Sequence, residues 1–273
     1  MRVLGLTRSL LCALTSALSM SAFADTPMPA VLSANLPKGV AAVRSFTAVD
    51  GMTGWVLKGP KGPPEIVYTT ADGKYLLAGR ILDVNRQDLS AAYSQAMIPK
   101  IDLAPFWPKV ERSAYVIEGA QRPKAVVYAF MDPNCIYCHQ MWKAVQPYES
   151  KGLQVRWIPV AILKQDSGGK AAALLEATSP TGAMRELQTK YQESSESGGL
   201  KPIRATPTVD AKIRSNGDLM QAMGFYGTPT MVYRDMATGE VVANVGMPKI
   251  STIAKILGIP ELPVTDRQLK VYQ

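Results

Sequence analysis

Cysteine and histidine are scarce, at three and one among 273 residues. Three cysteines cannot make the disulfide framework of a small secreted scaffold, so apolar cores must hold this chain. Aromatic residues are few, at 7%. No apolar run reaches the roughly 20 residues that cross a bilayer as a helix. No internal repeat is present, and ordinary glycine and proline use, 21 and 20 residues, excludes collagen-like or low-complexity architecture. What remains is a folding composition, 47% hydrophobic and 19% charged, in a length that suits one large domain or two ordinary ones.

The first residues read as an export signal. Arg2 and Arg8 give a basic start, Leu10 to Met20 is mostly apolar, and Ala22-Phe23-Ala24 is a small-x-small cleavage site. Residues 1–24 are therefore expected to be a signal peptide, with the mature chain in an exported, more oxidising compartment. Its removal takes away Cys12 and two arginines, leaving 28 basic against 22 acidic residues. That excess is spread along the chain and marks no nucleic-acid surface. The mature chain then keeps Cys135, Cys138 and His139 as its whole stock of cysteine and histidine.

Residues 25–87 read as a small α+β unit. Met52–Leu57 and Ile66–Thr70 have strand character, and Asp72-Gly73 before Lys74-Tyr75-Leu76-Leu77 is a hairpin signal. A unit of this size without disulfides is marginal alone, so pairing with a second copy is expected. In a connector over residues 88–112, Leu89, Ala92, Tyr93, Ala96 and Met97 form a helical stripe that Pro99 ends. This helix suits either a packed surface element or a stiff spacer. From 113 to 273 the pattern alternates strand and helix: strands at Ala114–Ile117, Ala125–Met131 and Leu153–Ile162, a helical region from Ala171 to Met223, a closing hairpin of Thr230–Arg234 and Val241–Val245, and a last helix at Ile250–Leu257.

The chemistry is concentrated in Cys135-Ile136-Tyr137-Cys138-His139, placed at the start of a helix that runs to about Gln146 and that Pro147 kinks or ends. Helix N-termini carry unpaired N–H groups and partial positive charge, which favour a thiolate. A cysteine with pKa about 8.5 is roughly 3% ionised at pH 7; lowering it two units, about 2.7 kcal/mol, makes it about three-quarters thiolate. Cys138, Met141, Trp142 and Val145 share one helical face, so Cys138 begins the buried stripe and Cys135 sits at the exposed tip. Cys135 is the candidate nucleophile and Cys138 the resolving thiol. Ile136 and Tyr137 between them, and His139 one turn after Cys135, are candidate tuning residues; a protonated His139 near the sulfur would favour the thiolate. The same residues match the attachment signature of c-type haem, supply three of the four ligands of a structural zinc, or form an inert disulfide that closes too short a loop to restrain much chain. Gly227-Thr228-Pro229 precedes a strand, and Glu118 is a candidate proton carrier for Cys138.

With these residues the chain resembles the DsbC/DsbG family of disulfide isomerases. Phe130-Met131-Asp132-Pro133-Asn134 leading into Cys-x-x-Cys, with Trp142 in the helix, is similar to its thioredoxin-fold active site, and Gly227-Thr228-Pro229 stands at its cis-proline loop. Phe46 to Gly54, Trp107 to Gly119, Ser197-Gly198-Gly199 and the lack of a second cysteine pair resemble the DsbG branch. Ile136 departs from that branch, which has proline there.

The resemblance implies an α+β chain with a small cystatin-like N-terminal dimerisation domain, a linker helix and a thioredoxin-like α/β domain with a helical insertion. It also implies a periplasmic homodimer with no cofactor beyond a redox-active Cys135–Cys138 disulfide. Thr228 and Pro229 would bind substrate, the membrane reductase DsbD would keep the pair reduced, and substrates would be exported proteins with wrong disulfides or oxidised lone cysteines. A DsbA-like net oxidant and a cleft-binding holdase with incidental cysteines use the same features.

Overall fold

A computed structural model describes residues 27–60, 62–99 and 101–273. The expected signal peptide lies outside the described residues. The first unit comprises α1 (Ala30–Asn35), β1 (Ala41–Thr47), β2 (Thr53–Lys58), β3 (Glu65–Thr69), β4 (Leu76–Ala78) and α2 (Leu89–Met97). Its four strands form an antiparallel meander in chain order. Alternation splits the strands between two layers. Trp55 and Val67, paired in register, pack with Leu32 of α1 on one face. Phe46, Gly54 and Tyr68 stand in register on the other, where Phe46 and Tyr68 meet Tyr93 of α2 at ring distances of 5.1 and 6.3 Å. Gly54 is required there, because a Cβ would stand 2.1 Å from the Phe46 ring.

Asp88 caps α2 by accepting from the Ala91 N–H at 3.0 Å. The expected hairpin forms, but as a longer loop between Thr69 and Leu76, with only Gly73 at positive φ. Strand β1 and helix α1 carry no strong sequence signal and were not expected.

Two short helical turns cross to the second unit: a 3-10 turn at Ala104–Phe106 and α3 (Trp107–Glu111). Pro105 and Pro108 sit in the first turn of each, where the missing N–H has no helical partner to lose.

Then follow β5 (Val116–Gly119), β6 (Ala125–Met131), α4 (Ile136–Glu149), β7 (Leu153–Pro159), α5 (Ser167–Glu176), α6 (Pro180–Thr189), α7 (Pro207–Ala222), β8 (Thr230–Arg234), β9 (Val241–Val245) and α8 (Ile250–Leu257). The sheet runs β5-β7-β6-β8-β9, with β6 and β7 parallel and every other pair antiparallel. Strand β6 is buried on both faces, hence its unbroken apolar run. Val127, Ala129 and Met131 pack under α4 and α8, while Tyr128 and Phe130 pack against α3 and α7. Helices α5 to α7 fill the connection between β7 and β8.

Candidate active site

The chain leaves β6 at Met131 and enters α4 at Ile136, so Cys135 is the helix N-cap. Its Sγ accepts from the Cys138 N–H at 3.2 Å, the bond that a capping serine oxygen makes. Register Phe130↔Thr230 lays the start of β8 beside the end of β6. That pairing brings Thr228 and the cis Thr228–Pro229 peptide to the sulfur, and the Cys135 thiol donates to the Thr228 carbonyl at 3.2 Å.

The two sulfurs are unequal. The Cys135 thiol is lowered by the Cys138 thiol beside it, then by the Thr228 side chain and the N–H groups of Cys138 and Tyr137. The Cys138 thiol is pushed well up, first by complete burial and then by Cys135. Thr228 Oγ1 is buried near both sulfurs, outside hydrogen-bond geometry with either. Both cysteines are free thiols. The expected exposed tip is corrected: Cys135 is only 4% exposed, because the Thr228 loop closes over it, and Cys138 is at 0%. Tyr137, between the two cysteines, is exposed.

His139 does not serve the sulfur, which corrects the expectation of a protonated imidazole there. Its Nδ1 lies 2.9 Å from Gln188 Oε1, an acceptor that calls for the proton on Nδ1. Its ring stacks on Tyr191 at 4.5 Å, and burial lowers its pKa, so the ring is neutral at pH 7. Both nitrogens face α6 and Glu193, not Cys135. Among the described residues no three metal-ligating side chains are gathered as a zinc site would need. Helix α4 contains Pro147 and runs on to Glu149, so the proline does not end it.

Glu118, on β5, is buried and accepts from Trp142 Nε1 at 2.9 Å. Among the described residues no hydrogen bond joins it to Cys138. Burial, with Glu149 nearby, raises its pKa to about 7. The folded state therefore prefers the protonated acid, so this contribution is full below pH 4.5 and is lost as pH rises through about 7. Glu118→Gln, which keeps an acceptor for Trp142, is expected to be more stable than the parent at pH 8 by about 1–3 kcal/mol. Near pH 4 the difference should vanish, as denaturant titrations at the two pH values will show.

Around the pair lies a polar network that the sequence reading did not identify. Asp132, fully buried, accepts from the Asn134 N–H, the Ser167 hydroxyl and the N–H groups of Ile162 and Leu163 at 2.8–3.0 Å. Tyr191 donates to the Asn134 carbonyl at 2.8 Å. Lys170 is buried at 3% exposure. The one sequence signal for it is a lysine opening the apolar run Ala171-Ala172-Ala173-Leu174-Leu175.

A Cys-x-x-Cys pair capping a helix beside a cis-proline loop, on a sheet with parallel β6 and β7, defines a thioredoxin-fold dithiol oxidoreductase. A thioredoxin-like domain family matches residues 111–258, and the disulfide bond isomerase N-terminal domain matches residues 20–91. The thiol:disulfide interchange protein DsbG of Pseudomonas aeruginosa is 32% identical over 239 residues, covering 87% of this chain and 91% of that one. DsbG of Escherichia coli K12 is 29% identical over 93% of this chain and 99% of its own length. A DsbC of Haemophilus influenzae is 25% identical over 66% of this chain and 70% of that one. The chain belongs to the DsbC/DsbG family of thiol:disulfide interchange proteins.

Proposed function

We propose that the protein is a DsbG-like reductase and isomerase of exported proteins, with Cys135 as nucleophile and Cys138 as resolving thiol. The observation that carries this is the asymmetry of the pair: a lowered Cys135 thiol at the helix N-cap above a buried, raised Cys138. The Cys135 thiolate attacks a substrate disulfide, one substrate sulfur leaves as thiolate and takes a proton, and a mixed disulfide remains. Cys138 then gives up its proton and displaces the second substrate sulfur. That leaves the substrate reduced and the Cys135–Cys138 disulfide formed as the protein's own redox group. If a substrate thiol attacks the adduct first, the substrate is isomerised and Cys135 returns reduced. A sulfenic acid on a lone cysteine reacts likewise, releasing water as the adduct forms.

Thr228 and Pro229 border the sulfur at the start of β8, which supports their role in aligning substrate backbone as an added strand. Ile136 and Tyr137 tune the pair from within the first helical turn. The N-terminal match supports a homodimer, the basic and apolar start supports export to the periplasm, and an electron donor of the DsbD kind would re-reduce the disulfide. The experiment is to trap thiols in intact cells and to sediment the purified protein. A mostly reduced pair in a dimer is expected. A mostly oxidised pair would instead make the protein a net oxidant, and a monomer would reject the homodimer.

A further inference from the structure

Lys170 is an unusual lysine. Its ammonium has all three protons engaged inside the fold: to Asn134 Oδ1 at 2.7 Å, Ser197 Oγ at 2.7 Å and Asp166 Oδ2 at 3.0 Å. Burying a cation costs free energy that a well-packed apolar residue would not. A structural plug at this place would need no charge.

What the charge touches is the residue immediately before the nucleophile. Asn134 has each polar group engaged. Its Oδ1 accepts from Lys170 and from the Gly198 N–H at 3.3 Å, and its Nδ2 donates to Asp166 Oδ1 at 2.8 Å and Ser167 Oγ at 3.0 Å. A cation thus stands at the oxygen end of the amide and a carboxylate at its nitrogen end. Rotating the amide by half a turn would set its N–H₂ against the ammonium and its oxygen against Asp166, so only one orientation is tolerated. The Asn134 peptide is fixed with it, by Asp132 at the N–H and Tyr191 at the carbonyl. Through Ser197 the same ammonium anchors the segment 191–199, whose Tyr191 and Glu193 flank His139 of α4.

We propose that Lys170 is a positioning residue of the redox pair, acting through Asn134 to fix the turn from which Cys135 enters α4 and through Ser197 to hold the 191–199 segment against it. This rests on the exchange reading above and deepens it. The turn aims Cys135 Sγ at the Cys138 N–H and the Thr228 loop. Loosening it weakens the Cys138 N–H bond that steadies negative sulfur, so the reduced pair loses stabilisation relative to the disulfide.

Lys170→Met keeps the length of the side chain and removes its donors. In the full-length protein, ultraviolet thiolate absorbance against pH is expected to show Cys135 weaker as an acid by about 3- to 10-fold. The equilibrium with glutathione should move toward the disulfide by a similar factor, about 3- to 10-fold. Lys170→Arg, which retains a buried cationic donor, is expected to stay within about twofold of the parent on both readouts. A purely structural lysine would lower the unfolding midpoint of Lys170→Met and leave both readouts where they were, and that result would overturn the proposal. Should Lys170→Met fail to fold, Lys170→Gln gives the same test, with a smaller shift in the same direction supporting the role and none rejecting it. A parent protein that exchanges no disulfides would sink the functional reading instead, a separable outcome because the thiol titration needs no substrate.

Discussion

Cys138→Ala is expected to accumulate covalent adducts with exported proteins through Cys135, visible as bands that disappear on reduction. Cys135 would still attack, but no second thiol would be present to resolve the adduct. Cys135→Ser should lose about a thousandfold or more of the exchange rate, because an alcohol at that place is not ionised near neutral pH. That variant separates chemistry from folding. Serine is a strong helix N-cap, so its oxygen can accept from the Cys138 N–H as the sulfur does, and stability should hold or rise. Its remaining thiol, Cys138, is fully buried and raised, so few adducts should form on it. Equal trapping by the two variants would refute the division of roles.

Asp132→Ala should be among the most destabilising substitutions in the molecule, costing about 3–5 kcal/mol in the free energy of unfolding. Its carboxylate accepts from two backbone N–H groups in the loop after β7, one in the redox turn, and the Ser167 hydroxyl. Alanine leaves those donors buried and unpaired, in a place too enclosed for easy repair by water. Asp132→Asn should fall between, since one of its two atoms can still accept. Denaturant unfolding followed by tryptophan fluorescence measures both; a loss below about 1 kcal/mol for Asp132→Ala would mean the donors find other partners.

The parts legible in the sequence are those whose signal is local. The apolar run of β6, the boundaries of β8, β9 and α8, and the Cys135–Cys138 spacing at a helix start all follow from neighbouring residues. The Thr228-Pro229 loop became readable only through family resemblance, since a Thr-Pro before a strand is common. Strand β1, with half-exposed Arg44 and Ser45, lacks a clean alternation. The environment of His139 was illegible for a different reason. Gln188 lies 49 residues further on, in a helix whose docking is decided by packing. Spacing placed the imidazole one turn from Cys135, but the aromatic surface of Tyr191 decided where the ring went.

The setting of Cys135 has two origins in the chain. The N–H of Cys138, which favours negative sulfur, comes with the helix itself, whereas the Thr228 carbonyl, which can only hold the protonated thiol, arrives from 93 residues away, when β8 pairs with β6. The two contacts pull in opposite directions. A chain that has wound this helix but not closed its sheet carries the activated sulfur without its guard. The late strand works as a safety catch, set only on the completed molecule.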